Sequence, residues 1–86
     1  VIDVRSAEEF VGEQGHIAGA LNVPLGELPA RLEEIDPDRT RPIALVCRTD
    51  RRSASAATLL TAQGYTAARA LRGGMTAWRE RGLPTA

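Results

Sequence analysis

The sequence predicts an α/β domain: an open parallel sheet with helices on both faces. Three observations predict it. Short apolar, β-branched runs alternate with helix-like segments along the chain. The continuous apolar run Ile43 to Val46 has the pattern of a strand covered on both faces. The 86 residues hold no repeat and no long polar linker, so they form one domain near the small end of what folds alone.

Val1 to Val4 reads as the first strand. In SAEEF, Ser6 and Glu9 have capping-box spacing, each able to satisfy a free amide at the start of a short helix that Gly12 and Gly15 stop. Ala20 to Val23, closed by Pro24, reads as a second short strand. In GELPARLEEI, Leu28, Leu32 and Ile35 stand four and three apart, one face of a helix. The DPDRTRP stretch after it is a polar loop, and Glu33 to Asp38 is a solvated helix end. The main strand, Ile43 to Val46, comes next, with Cys47 at its carboxyl end. Ser53 to Gln63 reads as a helix capped by Ser53, with Ala56, Leu59, Leu60 and Gln63 inward and Gly64 ending it. AARALR is a further strand and Gly73–Gly74 a tight turn. Met75, Trp78 and Arg79 open a last helix that stops at Gly82 and Pro84. In such alternating folds ligands bind beyond the carboxyl ends of the strands.

Eleven basic residues balance eleven acidic ones, so no net field exists to hold nucleic acid or an anionic membrane, and any anion site must be local. Every basic residue is Arg, which removes Schiff-base chemistry and a phosphate-loop lysine. One Cys forms no internal disulfide, and one His with one Cys makes no zinc site, so no metal and no cofactor is expected. The cysteine usage points to a reducing compartment, the cytoplasm. No stretch approaches the ~20 apolar residues of a membrane span. A start at Val1 without an initiator Met reads as a piece of a longer chain.

The loop LVCRTDRRS holds the lone cysteine between an apolar strand and three arginines. On composition a lone Cys is a small buried hydrophobe. Its neighbours argue otherwise: a residue followed by Arg, Thr, Asp, Arg, Arg is not expected in an apolar core. Arg48, Arg51 and Arg52 outweigh Asp50, and the first free amides of the following helix point the same way, so both favour a thiolate.

Four segments in order, DVR at Asp3 to Arg5, GHIAGA at Gly15 to Ala20, CRTDRRS at Cys47 to Ser53 and LRGGMTAW at Leu71 to Trp78, resemble the signatures of the rhodanese-like sulfurtransferase domain. The resemblance covers nearly all of residues 1–86 and implies that fold, with an amino-terminal edge element missing before the DVR strand. It implies that Cys47 is the sulfur carrier. Its thiolate would take the outer sulfur of thiosulfate or another persulfide donor, then pass it to cyanide or a thiol. Amides from Arg48 through Thr49, Asp50, Arg51 and Arg52 to Ser53 would surround the persulfide. Arg48 and Arg51 would hold a sulfonate, and Arg52 would brace the loop. Related phosphatases place Arg six positions after Cys, where this chain has Ser53, and the shorter loop favours sulfur over phosphate or arsenate. Asp50 stands where the family often has Gly, so a carboxylate faces the donor unless it pairs with Arg48 or Arg51, and Asp50→Gly is expected to speed thiosulfate turnover.

The remaining marked residues read as structural. His16 bonds backbone in its turn, Asp3 and Arg5 form an ion pair near the loop, and Trp78 packs the last helix. Gly73 and Gly74 serve a turn that borders the pocket. Implied partners are a small sulfur donor and a thiol or cyanide acceptor, with a protein acceptor or fused domain as the variant case. The competing function is a non-enzymatic sulfur-relay or regulatory module of a larger protein; a purely structural Cys47 is the third.

Overall fold

The computed structural model describes residues 1–35 and 39–86. Four strands, β1 (Ile2–Asp3), β2 (Leu21–Asn22), β3 (Ile43–Val46) and β4 (Ala68–Ala70), form one sheet in the order β2-β1-β3-β4, every pair parallel. Around them run α1 (Ala7–Phe10), a 3₁₀ helix (Leu25–Arg31) continuing into α2 (Leu32–Ile35), α3 (Arg51–Ala62) and α4 (Gly74–Glu80). The fold is thus the open parallel α/β sheet that the alternation predicts.

Side-chain alternation along β3 divides the core. Ile43, Leu45 and Cys47 face the larger apolar cluster, with Val4, Val23, Leu28, Ala56, Leu60 and Tyr65, while Val46 faces a smaller one with Ile17 and Met75. The 3₁₀ helix, α2 and α3 therefore cover one face and α4 the other. The first strand is shorter than Val1 to Val4, although Val4 N–H still donates to Val46 O at 2.9 Å and Leu21 N–H to Val1 O at 3.0 Å.

Three local expectations are corrected. The helix expected around Leu28 begins as 3₁₀, because Gly26 and Pro29 disfavour α geometry in its first turns; Leu28 is still buried, with Leu32 and Ile35 packed beside it. Ser53 does not cap α3: the helix starts at Arg51 after Asp50, and Ser53 lies inside its first turn. Gln63 is exposed at the helix end, where its N–H donates to Leu59 O and Leu60 O. The capping box is present: Ser6 Oγ accepts from Glu9 N–H, and Glu9 Oε1 accepts from Ser6 N–H, both at 3.2 Å. The expected loop DPDRTRP and the acidic stretch to Asp38 lie partly outside the described residues. Among the described residues no helix is long and apolar enough to cross a membrane.

Candidate active site

Cys47 sits where β3 ends and the turn into α3 begins. It is 1% exposed and packs in the larger apolar cluster, so the expectation that its polar neighbours keep it out of the core is corrected. The reason is the strand's alternation, which fixes its side chain on the same face as Leu45, while Arg48 to Arg51 turn outward above it. One edge of the sulfur is nonetheless polar. Sγ accepts from Ser53 N–H at 3.3 Å and lies 3.4 Å from Ser53 Oγ, which donates to Asp50 O at 3.1 Å. Among the described residues, Ser53 N–H is the loop amide bonded to the sulfur, so the amino end of α3 addresses it directly.

The loop is held from behind by the Gly73–Gly74 turn. Met75 N–H donates to Cys47 O at 2.9 Å and Thr76 N–H to Arg48 O at 3.1 Å. Gly74 has φ +53, and a Cβ there would lie 2.8 Å from Arg48 C and closer still to the carbonyl oxygens of Cys47 and Thr49. Only glycine lets the two chains meet. Asp50 completes the joint: its Oδ1 accepts from Gly73 N–H at 2.7 Å. Its carboxylate pairs with this turn rather than with Arg48 or Arg51, and its backbone, at φ −130, needs no glycine.

Of the three loop arginines, Arg52 is committed. Its guanidinium donates to both oxygens of Glu9 at 2.6 and 2.9 Å, linking α3 to the capping box of α1. The Arg52 bond, aided by Ser6 N–H and Oγ–H, holds the Glu9 carboxyl down at about 2, and Glu9 in turn raises Arg52. Arg48, Thr49, Asp50 and Arg51 are exposed, and neither Arg48 nor Arg51 has an ion-pair partner among the described residues.

A pH dependence follows. Because the folded value for Glu9 lies below its unfolded 4.5, the pair stabilises fully above 4.5 and is lost as pH falls through about 2. Both side chains are 36% exposed, so solvent screening limits the gain to about 1 kcal/mol. Urea unfolding of the wild type and Glu9→Gln should show that gap at pH 7 and a smaller one at pH 3.5. A gap independent of pH would assign the loss to packing instead.

The DVR motif is a buried ion pair. Asp3 and Arg5 are 0% and 1% exposed, Arg5 Nη2 donates to Asp3 Oδ2 at 2.7 Å and to Gly15 O at 2.7 Å, and Arg5 N–H donates to Asp3 Oδ1 at 3.1 Å. The pair therefore ties the GHIAGA segment to β1. His16 stacks on Phe10 with ring centroids 3.7 Å apart, and its Nδ1 lies 2.9 Å from Phe10 O, a structural arrangement. Trp78 packs on the smaller cluster and donates to Pro84 O at 2.8 Å. Beside the loop opens a cleft of about 400 Å³, lined by Arg5, Glu9, Gly12, Glu13, Gln14, Arg48 and Arg79.

Sequence reasoning marked Glu9 only as a cap and missed its bond to Arg52, because nothing local links positions so far apart. It also missed Glu13, Gln14 and Arg79. The acceptor for Gly73 N–H had one usable signal, the Asp standing where a glycine was expected.

The family model for the rhodanese-like domain matches residues 1–81. The chain is 39% identical to a protein named sulfurtransferase from Allochromatium vinosum, covering 98% of this chain and 75% of that one. It is 44% identical to the uncharacterised protein YqhL of Bacillus subtilis, over 91% of this chain, and spans 59% of that relative's length. Its structure superposes on a rhodanese-related protein of Thermoplasma volcanium with a TM-score of 0.86 at 30% identity, over 99% of this chain and 80% of the other.

Proposed function

Since the chain belongs to the rhodanese-like domain family, we propose that it transfers sulfane sulfur from thiosulfate or a related persulfide donor to a thiol or cyanide acceptor through a persulfide on Cys47. The observation that carries this reading is the placement of Sγ at the end of β3 and under the first turn of α3, 3.3 Å from Ser53 N–H, with the Arg48 and Arg51 cations unpaired on the loop above. The name of the Allochromatium vinosum relative fits it, as does the loop spacing, in which Arg52 comes one position too early for the phosphatase pattern.

In the proposed cycle the Cys47 thiolate attacks the outer sulfur of thiosulfate. The S–S bond of the donor breaks, its electron pair leaves with sulfite, and Cys47–S–S⁻ remains. Arg48 and Arg51 attract the dianion, and the Ser53 amide and the α3 dipole stabilise negative charge on sulfur. Arg52 acts at a distance, bracing the loop through Glu9. Because Cys47 is 1% exposed, the donor reaches Sγ only as the surrounding loop gives way.

Intact mass after brief incubation with thiosulfate tests this. The expected result is a gain of one sulfur, reversed by cyanide with release of thiocyanate. A gain only from a protein-bound or low-molecular-weight persulfide would turn the reading to sulfur relay, and no gain from any donor would refute it.

Asp50 enters this cycle as an anchor of the loop. Asp50→Ala is expected to slow sulfur uptake several-fold and to cost about 1 kcal/mol, the worth of one such hydrogen bond, whereas Asp50→Asn keeps an acceptor for Gly73 N–H and much of the rate. This replaces the expectation that removing the carboxylate speeds thiosulfate turnover. Stopped-flow uptake rates decide between them: a faster Asp50→Ala would mean that charge repulsion outweighs anchoring.

A further inference from the structure

The cleft beside the loop carries three charges that the proposed uptake step leaves only partly used. Arg5 is locked to Asp3 and Gly15 O, and Glu9 to Arg52, so neither has charge to offer a ligand. Arg48, Arg79 and Glu13 also line it, and none of the three has a side-chain hydrogen bond or ion pair among the described residues. Gln14 Nε2 donates to Thr76 Oγ1 at 3.3 Å, joining the GHIAGA side of the cleft to α4, and Thr76 N–H in turn holds Arg48 O. The cleft is therefore a built feature with two walls. Its open charges are two guanidiniums and one carboxylate.

That set complements a small molecule bearing a carboxylate and an ammonium together. From it we infer that the cleft is the acceptor subsite, and that its occupant is a zwitterionic, amino-acid-like thiol, its carboxylate on Arg79 and Arg48 and its ammonium on Glu13. A purely anionic ligand would leave Glu13 opposed by like charge, and cyanide would use none of the three. The inference rests on the Cys47 persulfide proposed above. In the transfer the acceptor thiol gives its proton to the outer sulfur of Cys47–S–S⁻, and the thiolate so formed attacks that sulfur. The bond from Cys47 Sγ to that sulfur breaks, its electron pair stays on Sγ, and one S–S bond replaces another. The acceptor's proton stays on the product R–S–SH, and Cys47 returns as the thiolate from which the cycle began, with no oxidant or reductant consumed.

Four thiols separate the charges: L-cysteine, cysteamine with the ammonium alone, 3-mercaptopropionate with the carboxylate alone, and neutral 2-mercaptoethanol. Decay of the persulfide mass is followed in single turnover. The ratio of variant to wild-type rate for each thiol cancels its intrinsic nucleophilicity. For Arg79→Gln the ratio should fall about tenfold for cysteine and mercaptopropionate relative to mercaptoethanol, as for loss of one charged hydrogen bond. For Glu13→Gln it should fall for cysteine and cysteamine instead. Equal ratios across all four thiols would overturn the inference. A second measurement needs no turnover: S-methylcysteine should shift the amide resonances of Gln14 and Thr76 in the wild type and shift them less in Arg79→Gln. Binding there without any sulfur uptake at Cys47 would sink the persulfide reading, and with it the acceptor role, and leave the cleft only as a site for a zwitterion; no shift in the wild type would sink the cleft assignment itself.

Discussion

Cys47→Ser is expected to abolish sulfur uptake while leaving the protein folded. Serine keeps the shape of the side chain and can still accept from Ser53 N–H, so the cost of placing its hydroxyl in the apolar cluster is about 1 kcal/mol, an ordinary value for one substitution. Its alcohol cannot act as the sulfur nucleophile, because at neutral pH it is not ionised and it forms no persulfide. Mass spectrometry with thiosulfate should therefore show no sulfur gain, alongside a melting curve close to that of the wild type. The opposite pair, undiminished transfer with a clear loss of stability, would return Cys47 to the role of a core residue.

Gly74→Ala should have the largest effect on the fold and the loop together. Two costs add. The residue sits at φ +53, where a side chain strains the backbone by about 1–2 kcal/mol. Its Cβ would also press on the Cys47, Arg48 and Thr49 backbone, which cannot rotate aside as a side chain could. The loop must shift, breaking the bonds from Met75 N–H and Thr76 N–H, and the total should reach about 3 kcal/mol or more. Gly82→Ala is the control: φ is +67 there, but no atom lies within 4 Å of the added carbon, so it pays strain alone. Urea unfolding and sulfur uptake on both variants decide the matter. Should Gly74→Ala prove no worse than Gly82→Ala in either readout, close approach of the turn to the loop is not what holds the site.

Much of this was legible in the chain itself. The parallel order of strands followed from their alternation with helices, the capping box from the spacing of Ser6 and Glu9, and the place of Cys47 from the apolar run that ends at Val46. These are local properties: hydrophobic period, cap chemistry and turn residues act within a few positions. The same locality explains the errors. Polar neighbours suggested an exposed Cys47, but the side-chain alternation of β3 and the cover of α3 outweigh them.

What the sequence by itself determined is the kind of fold, the order of its elements and the place of the cysteine loop at the end of its main strand. The tertiary structure alone decided how that loop is held: Arg52 on Glu9, Asp50 on Gly73 and the carbonyls of Cys47 and Arg48 on α4, together with the cleft between Glu13, Arg48 and Arg79. Each of these joins residues distant along the chain. Their partners are chosen by packing, which sets distance and burial, and those in turn decide which charges are neutralised within the protein and which stay unpaired among the described residues.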